Sequence, residues 1–344
     1  MIYLRKKESP VALSIAGSRH TRLYAACFIV LLLIFALSLP DPLFDSPYSP
    51  VLYDREGRLL GALTAQDGQW RFPPSEKVNE KFAAAVIEAE DRRFRRHPGV
   101  DPLAIGRAVI QNAQSRRVVS GASTLTMQTV RLMRSSVWRG RRRGLFEKIT
   151  EAFLALRLEL GRSKDDILAL YAANAPFGAN VVGLEAASWR WFGRGTGELS
   201  WAEAATLAVL PNSPGLIHPG QNREALRLKR DDLLERLFNK NLFDQETLAL
   251  ALAEELPPEP LPLPQLAPHL LNRMVRERGG VAAFRGAGGK PLRTTLDRYI
   301  QDRAQTIMNR VSGNFAGNGI MNGACLIINT KTGETAAYVG NVET

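Results

Sequence analysis

Near its start the chain carries an uncharged apolar run, LYAACFIVLLLIFALSL, seventeen residues from Leu23 to Leu39. A helix that crosses a bilayer needs about 17–25 such residues, so the run reads as a transmembrane segment. Arg5, Lys6, Lys7, Arg19 and Arg22 precede it with only Glu8 opposing, whereas Asp41 and Asp45 follow it. That asymmetry puts the N-terminus in the cytoplasm and everything after Pro40 outside. The expected parts are a cytoplasmic basic tail at 1–22 and a single-pass signal-anchor at 23–39. The competing reading is a cleaved signal peptide with Ser38 as the small residue before a cut. The long charged segment and the lack of a clean small-x-small site favour the anchor.

Of 344 residues, 45% are apolar and 23% charged, which excludes disorder as the dominant state. The length suits about two domains on a prior of roughly 100–200 residues each. There are only two cysteines, Cys27 and Cys325, and the first lies inside the apolar run, so neither a disulfide framework nor a cysteine metal site is expected. The four histidines are scattered singly, which argues against structural zinc.

Beyond the run the pattern is mainly α. VLYDREGRLLGAL, from Val51, alternates like a short hairpin leaving the membrane. NEKFAAAVIEAEDRRF, from Asn79, is a helix by composition. Ser163 with Asp166, and Ser200 with Glu203, have the spacing of capping boxes that open KDDILALYAAN and WAEAATLAVL, and Pro211 ends the second. NREALRLKRDDLLERLFNK extends the helical part to Lys240. Leu256 to Pro268 holds six of the chain's twenty prolines and reads as an extended linker. After it, LRTTLDRYIQDRAQTIM reads as strand then helix, and GACLIINTKTGETAAYVG as two strands about a Thr-Gly turn. The expected boundaries are 48–250 for the helical domain, 251–289 for the linker and 290–344 for a small α/β part. No internal repeat is visible.

Two glutamates carry chemical interest. Phe82, Val86 and Glu90 are spaced i, i+4, i+8, which aligns the Glu90 carboxylate with an apolar stripe. Burial raises a carboxyl pKa and suits it to general acid or base work near neutral pH. The plainer alternative is a capping or ion-paired glutamate beside Arg93. Lys148 and Glu151 stand i, i+3 in LFEKITEAFLALRLEL, a spacing that by itself describes an ordinary surface pair. GASTLTMQTVR, Gly121 to Arg131, gathers hydroxyls, an amide and a cation before a helical segment, a surface suited to phosphate oxygens. The arginine clusters DRRFRR and VWRGRRRG lack the aromatic interleaving of single-strand binders. With a net charge of +11, an anionic lipid or pyrophosphate fits better than nucleic acid.

EDRRFRRHPGVD (90–101), GASTLTMQTVR (121–131), EKITEAFLALRLE (147–159), SKDDILALYAANAPFG (163–178) and KRDDLLERL (229–237) stand in the order of the five motifs of peptidoglycan glycosyltransferases. The chain resembles class A penicillin-binding proteins of that glycosyltransferase family from Val51 to Gly340, and the NAPFGAN form of the fourth motif narrows the likeness to one branch. The resemblance implies a lysozyme-like, two-lobed, mostly helical domain that polymerises lipid II into β-1,4-linked glycan with inversion and release of undecaprenyl diphosphate. By the same resemblance Glu90 is the base and Glu151 the second catalytic glutamate, which acts on the diphosphate side and is a candidate ligand for a divalent cation, magnesium or manganese; no organic cofactor is expected. Lys148 and Arg131 match the diphosphate-binding cations. Asp91, Phe94 and His97 match positions that fix and flank the base. Ser123, Thr124 and Gln128 match groove residues, and Lys164, Asn174 and Arg230 fall in the substrate-binding fourth and fifth motifs.

The implied partners are lipid II and the growing glycan strand, membrane lipid, and other cell-wall synthesis proteins, with no nucleic acid. The implied location is the outer, periplasmic face of the cytoplasmic membrane, with LMRSSVWRGRRRGLF against the bilayer. Three departures stand out: Glu147 where a cation is usual, Ala122 for a glycine, and Lys229-Arg230 for a double arginine. Glu147 is i, i+4 from Glu151, so like-charge repulsion is expected there.

TTLDRYIQ and ACLIINTKTGETAAYVGN resemble the opening of a penicillin-binding transpeptidase domain. No Ser-x-x-Lys occurs, and that chemistry needs a lysine-activated serine. Ser312-Gly313-Asn314 and Lys331-Thr332-Gly333 read as chance matches to its partner motifs. The expectation is therefore a truncated transpeptidase start without transpeptidase or β-lactam-binding activity. Two other functions are compatible with the residues: a muramidase-like glycan hydrolase, and an inactive scaffold that binds lipid II.

Overall fold

The computed structural model describes residues 19–75, 77–115, 121–134, 144–211, 222–286 and 289–342. It divides into two compact units, 1–40 and 41–344. In the first, α1 runs Arg19–Ala36. Its first turn is spent on Arg19, His20 and Arg22, and it stops inside the apolar run. Pro40 disfavours helical geometry at Leu39, and Ser38 Oγ turns back to donate to Phe35 O at 2.8 Å. Among the described residues no helix is long and apolar enough to cross a membrane.

The second unit contains, in chain order, β1 (Val51–Tyr53), β2 (Leu59–Ala62), α2 (Glu80–Glu90), α3 (Pro102–Ser115), α4 (Leu125–Met133), α5 (Leu145–Gly161), α6 (Lys164–Asn174), α7 (Leu184–Phe192), α8 (Trp201–Val209), α9 (Arg223–Phe238), α10 (Gln245–Ala253), α11 (Pro268–Glu277), β3 (Leu292–Arg293), α12 (Arg298–Phe315), β4 (Cys325–Ile328) and β5 (Thr335–Val339). The protein is mainly helical, as the periodicity predicts.

The helical part is built around α2. Asn79 caps it, accepting from Phe82 N–H at 3.0 Å and donating its amide to Thr196 O at 2.8 Å. Phe82, Ala85 and Val86 are buried, and the helix packs on α8 and α9. The alanine-rich sequence of α8 lets the backbones approach, and nearly all of that helix is buried. Both expected capping boxes form: Ser163 Oγ accepts from Asp166 N–H at 3.1 Å, and Ser200 Oγ from Glu203 N–H at 3.0 Å. Alongside, α4 packs on α5 and α6.

The expected hairpin forms and gains a third strand. β1 and β2 pair antiparallel with Val51 opposite Ala62, and β1 also pairs parallel with β3, Leu52 opposite Leu292. A long excursion through α2 to α11 thus returns to the hairpin and completes a sheet in the order β2-β1-β3. Its core is Leu52, Leu60, Leu271, Val275, Phe284, Leu292 and Leu296. The proline-rich stretch is docked: Leu261 N–H donates to Arg190 O at 2.6 Å, Leu266 N–H donates to Leu60 O at 2.8 Å, and Leu263 is buried. The segment expected as linker also contains α11.

The last residues form the expected strand, helix and hairpin. Asp297 caps α12, and the fully buried Gln301 donates its amide to Leu266 O and Tyr338 O while accepting from Tyr338 N–H at 2.7 Å. That one side chain ties α12 to both the docked stretch and β5.

Candidate active site

Glu90 ends α2 on the line begun by Phe82 and Val86, both fully buried. It stands where the apolar stripe reaches the surface, half-buried. The expected continuation of this helix to Phe94 does not occur. Asp91 leaves helical geometry (φ −156°, ψ 74°), and its carboxylate accepts from Leu125 N–H at 2.9 Å, at the N-terminus of α4. His97 Nε2 lies 3.0 Å from both Asp91 oxygens, while its Nδ1 accepts from Gly99 N–H at 3.2 Å. That donor leaves Nε2 as the protonated nitrogen facing Asp91.

Thr124 caps α4, accepting from Met127 N–H at 3.1 Å and donating to Gly99 O at 2.6 Å. Gly99 has φ +95°, and a Cβ there would sit 2.7 Å from Ala155 O of α5, so only glycine fits. Phe94 is fully buried beneath, with Lys164 Nζ 4.5 Å from its ring centroid. Lys164 donates to Glu159 Oε1 at 2.6 Å and His97 O at 2.7 Å. Asp91, Phe94, His97, Thr124 and Lys164 are therefore brought together as the frame under Glu90.

α4 supplies what faces Glu90. Gln128 Nε2 donates to Glu90 Oε2 at 2.9 Å. One turn on, Arg131 grips Glu151 in a fork, Nε to Oε1 and Nη2 to Oε2, both at 2.8 Å, and Glu151 is only 2% exposed. Burial pushes the Glu90 carboxyl above its ordinary 4.5; the Gln128 hydrogen bond works against this, neighbouring Asp91 adds to it, and the charges of Lys229 and Arg131 oppose it. Arg131 is held charged above all by its bond to Glu151. Beside Glu90 opens a cleft of about 320 Å³ lined by Ser123, Thr124, Arg92, Arg107 and Arg236.

The remaining expected residues fall elsewhere. Lys148 is exposed on α5 and makes no ion pair among the described residues. Asn174 ends α6, donates to Leu170 O at 2.9 Å and lines a second cleft with Leu132 and Arg71. Arg230 does not face a groove. It is 1% exposed, and its guanidinium donates to Asp231 Oδ1 (2.8 Å), Glu254 O (2.5 Å) and Leu252 O (3.3 Å), joining α9 to the end of α10. Neighbouring residues on a helix point about 100° apart, so only one of Lys229 and Arg230 can serve the site. It is Lys229 whose charge reaches Glu90.

Glu147 also departs from expectation. Its Oε2 accepts from Gly144 N–H at 2.8 Å, so the carboxylate turns back to cap α5. Of LMRSSVWRGRRRGLF, residues 135–143 lie outside the described residues. Tyr171 of α6 escaped the sequence reading. It is buried with its hydroxyl making no hydrogen bond among the described residues; burial pushes that hydroxyl well above its ordinary pKa, the charge of Glu90 adds to this and that of Arg131 opposes it. The available signal was a polar-tipped side chain on the buried stripe Ile167, Leu168, Tyr171, Ala172.

The chain is similar to known proteins over most of its length. A family model described as Transglycosylase matches residues 56–238. Penicillin-binding protein 1C of Escherichia coli (strain K12) is 33% identical over 88% of this chain and 38% of its own length. Penicillin-binding protein 1A of Aquifex aeolicus (strain VF5) is 33% identical over 80% of the chain and 38% of its own. Penicillin-binding protein 2D of Bacillus subtilis (strain 168) is 31% identical over 92% of the chain and 45% of its own. The chain thus spans about two fifths of the length of these relatives. The matched segment covers more than half of the chain and contains every residue around Glu90, and the chain belongs to the transglycosylase family.

Proposed function

We propose that the chain is a peptidoglycan glycosyltransferase with a lysozyme-like two-lobed helical domain, which joins lipid II units into glycan strands. One observation carries the reading: a single helix, α4, presents Gln128 to the burial-raised Glu90 and, one turn on, the cation Arg131. A base and an anion-binding group on one rigid element match a reaction that removes a proton at one end and releases a diphosphate at the other.

Glu90 takes the proton of the acceptor's 4-hydroxyl as that oxygen bonds to the anomeric carbon of the donor from the opposite face. The bond from the anomeric carbon to the diphosphate oxygen breaks, and its electron pair leaves with undecaprenyl diphosphate. Negative charge grows on that leaving group, so cations stabilise it: Arg131 on α4, and Lys148, exposed on α5, as the second. Glu151 holds Arg131 charged and aimed. A divalent ion at Glu151 does not fit this arrangement. Both its oxygens are taken by Arg131, and among the described residues no group of three histidines, cysteines or carboxylates lies together. No step is routed through a metal.

An exposed apolar stripe on α5 supports a lipid-linked substrate. α5 is apolar on both sides: Leu154, Ala155 and Leu158 are buried, while Phe146, Ile149, Phe153, Leu156 and Leu160 form an exposed stripe at helical spacing. We read that stripe as the bilayer contact and the segment around α1 as the anchor, with the N-terminus cytoplasmic and the catalytic part on the outer face. Glu147 acting as a helix cap removes the main argument for an inactive scaffold. The test is polymer formation from labelled lipid II by the detergent-solubilised chain, seen on a gel. Wild type should make polymer and Glu90→Gln none; equal activity of the two would exclude Glu90 as the base.

A further inference from the structure

Tyr171 carries one of the few buried side-chain polar atoms that find no hydrogen-bond partner among the described residues. It lies on α6, which packs on α4, the helix that carries Gln128 and Arg131. The residue is 1% exposed, and its hydroxyl is buried with no hydrogen bond among the described residues. Burying a hydroxyl without a partner costs stability, and buried polar groups almost always find one. An orphan at this position is therefore a donor awaiting its acceptor. The charges that face it are few: Glu90 from α2, which would accept its proton in a hydrogen bond, and Arg131 from α4, which cannot accept one.

We propose that Tyr171 is a positioning residue of the site, whose hydroxyl donates a hydrogen bond to the Glu90 carboxylate when substrate fills the cleft and so holds that carboxylate ionised and aimed at the acceptor hydroxyl. Hydrogen bonds of this kind are commonly long or unmade in free enzymes and tighten in the substrate complex. Tyr171 would thus join Gln128 as a donor to Glu90 on loading. Burial and Asp91 push against ionisation of Glu90, and Lys229, Arg131 and Gln128 favour it; Tyr171 would add to the favouring side. This rests on the glycosyltransferase reading above.

The test is Tyr171→Phe, measured as the pH dependence of kcat/KM for lipid II polymerisation, beside wild type and Glu90→Gln. Phenylalanine keeps the ring and deletes only an atom that makes no bond in the free protein, so the thermal midpoint should stay equal or rise slightly. A hydrogen bond to the charged form lowers a carboxyl pKa, so its loss raises it. The acid limb of the profile should move to higher pH by about one unit, a tenfold change in the ionisation constant, with a matching fall in kcat/KM near neutrality. Tyr171→Trp, which keeps an aromatic donor but misplaces it, should not restore the limb. An acid limb identical to wild type in folded Tyr171→Phe would overturn the proposal, whatever happens to the rate. If instead Glu90→Gln were as active as wild type, the underlying reading would fail, which separates the two outcomes.

Discussion

Lys229 and Arg230 are neighbours in sequence and serve different ends. Arg230 is buried, with three hydrogen-bonded partners that link α9 to the end of α10. Arg230→Ala would leave Glu254 O and Leu252 O without their donor and open a gap in the core. The expected cost is about 2–4 kcal/mol of stability, read from urea unfolding, with little change in activity per folded molecule. Lys229→Ala should do the reverse. Its charge helps keep the Glu90 carboxyl from rising further, so removing it raises that pKa. The acid limb of polymerisation then moves to higher pH while the unfolding midpoint stays near that of wild type. Glu90 was legible from its place at the end of an i, i+4, i+8 apolar stripe. The choice between Lys229 and Arg230 was not, because it depends on the rotation of α9 about its axis.

Among the elements, α5 shows how one helix serves three environments. Its inner face packs on α4, its outer stripe is apolar and exposed, and its first turn is closed by Glu147. Because that carboxylate caps the backbone at Gly144, it stabilises the helix rather than opposing diphosphate binding. Glu147→Ala should cost about 1 kcal/mol, measured by denaturant unfolding, and leave the KM for lipid II unchanged. A clear fall in KM would show that the carboxylate does repel the diphosphate. The capping boxes at Ser163 and Ser200 were readable because both partners lie within four residues of each other. The bounds of α1 depend on where the chain breaks before Pro40, and not on hydropathy alone.

At the scale of the whole molecule, the chain closes on itself. β3 comes from beyond the proline-rich stretch and pairs with β1, and Leu292 and Leu296 complete the core over Leu52 and Leu60. A chain shortened after Lys290 would lose that strand and uncover the hairpin. At about 25 cal/mol per Å² of apolar surface, exposing several buried leucines should lower stability by a few kcal/mol, seen as a lower thermal midpoint and faster proteolysis within 51–62. Unchanged protease resistance there would show that the hairpin stands without its C-terminal partner.

Local information in the sequence was enough for what depends on short spans of chain. Helix periodicity, capping boxes, the Thr-Gly turn and the ordered motifs that marked Glu90, Gln128, Arg131 and Glu151 all lie within a few residues or within one helix. Tertiary structure alone decided the rest: that Asp91 and His97 brace the start of α4, that Glu147 turns back on its own helix, that Arg230 is buried and Lys229 is not, and that the Tyr171 hydroxyl is buried without a hydrogen bond among the described residues. Each of these depends on which face of one element meets another across a long loop of chain. The free energy of such contacts comes from packing and desolvation between distant segments, and no local pattern records it.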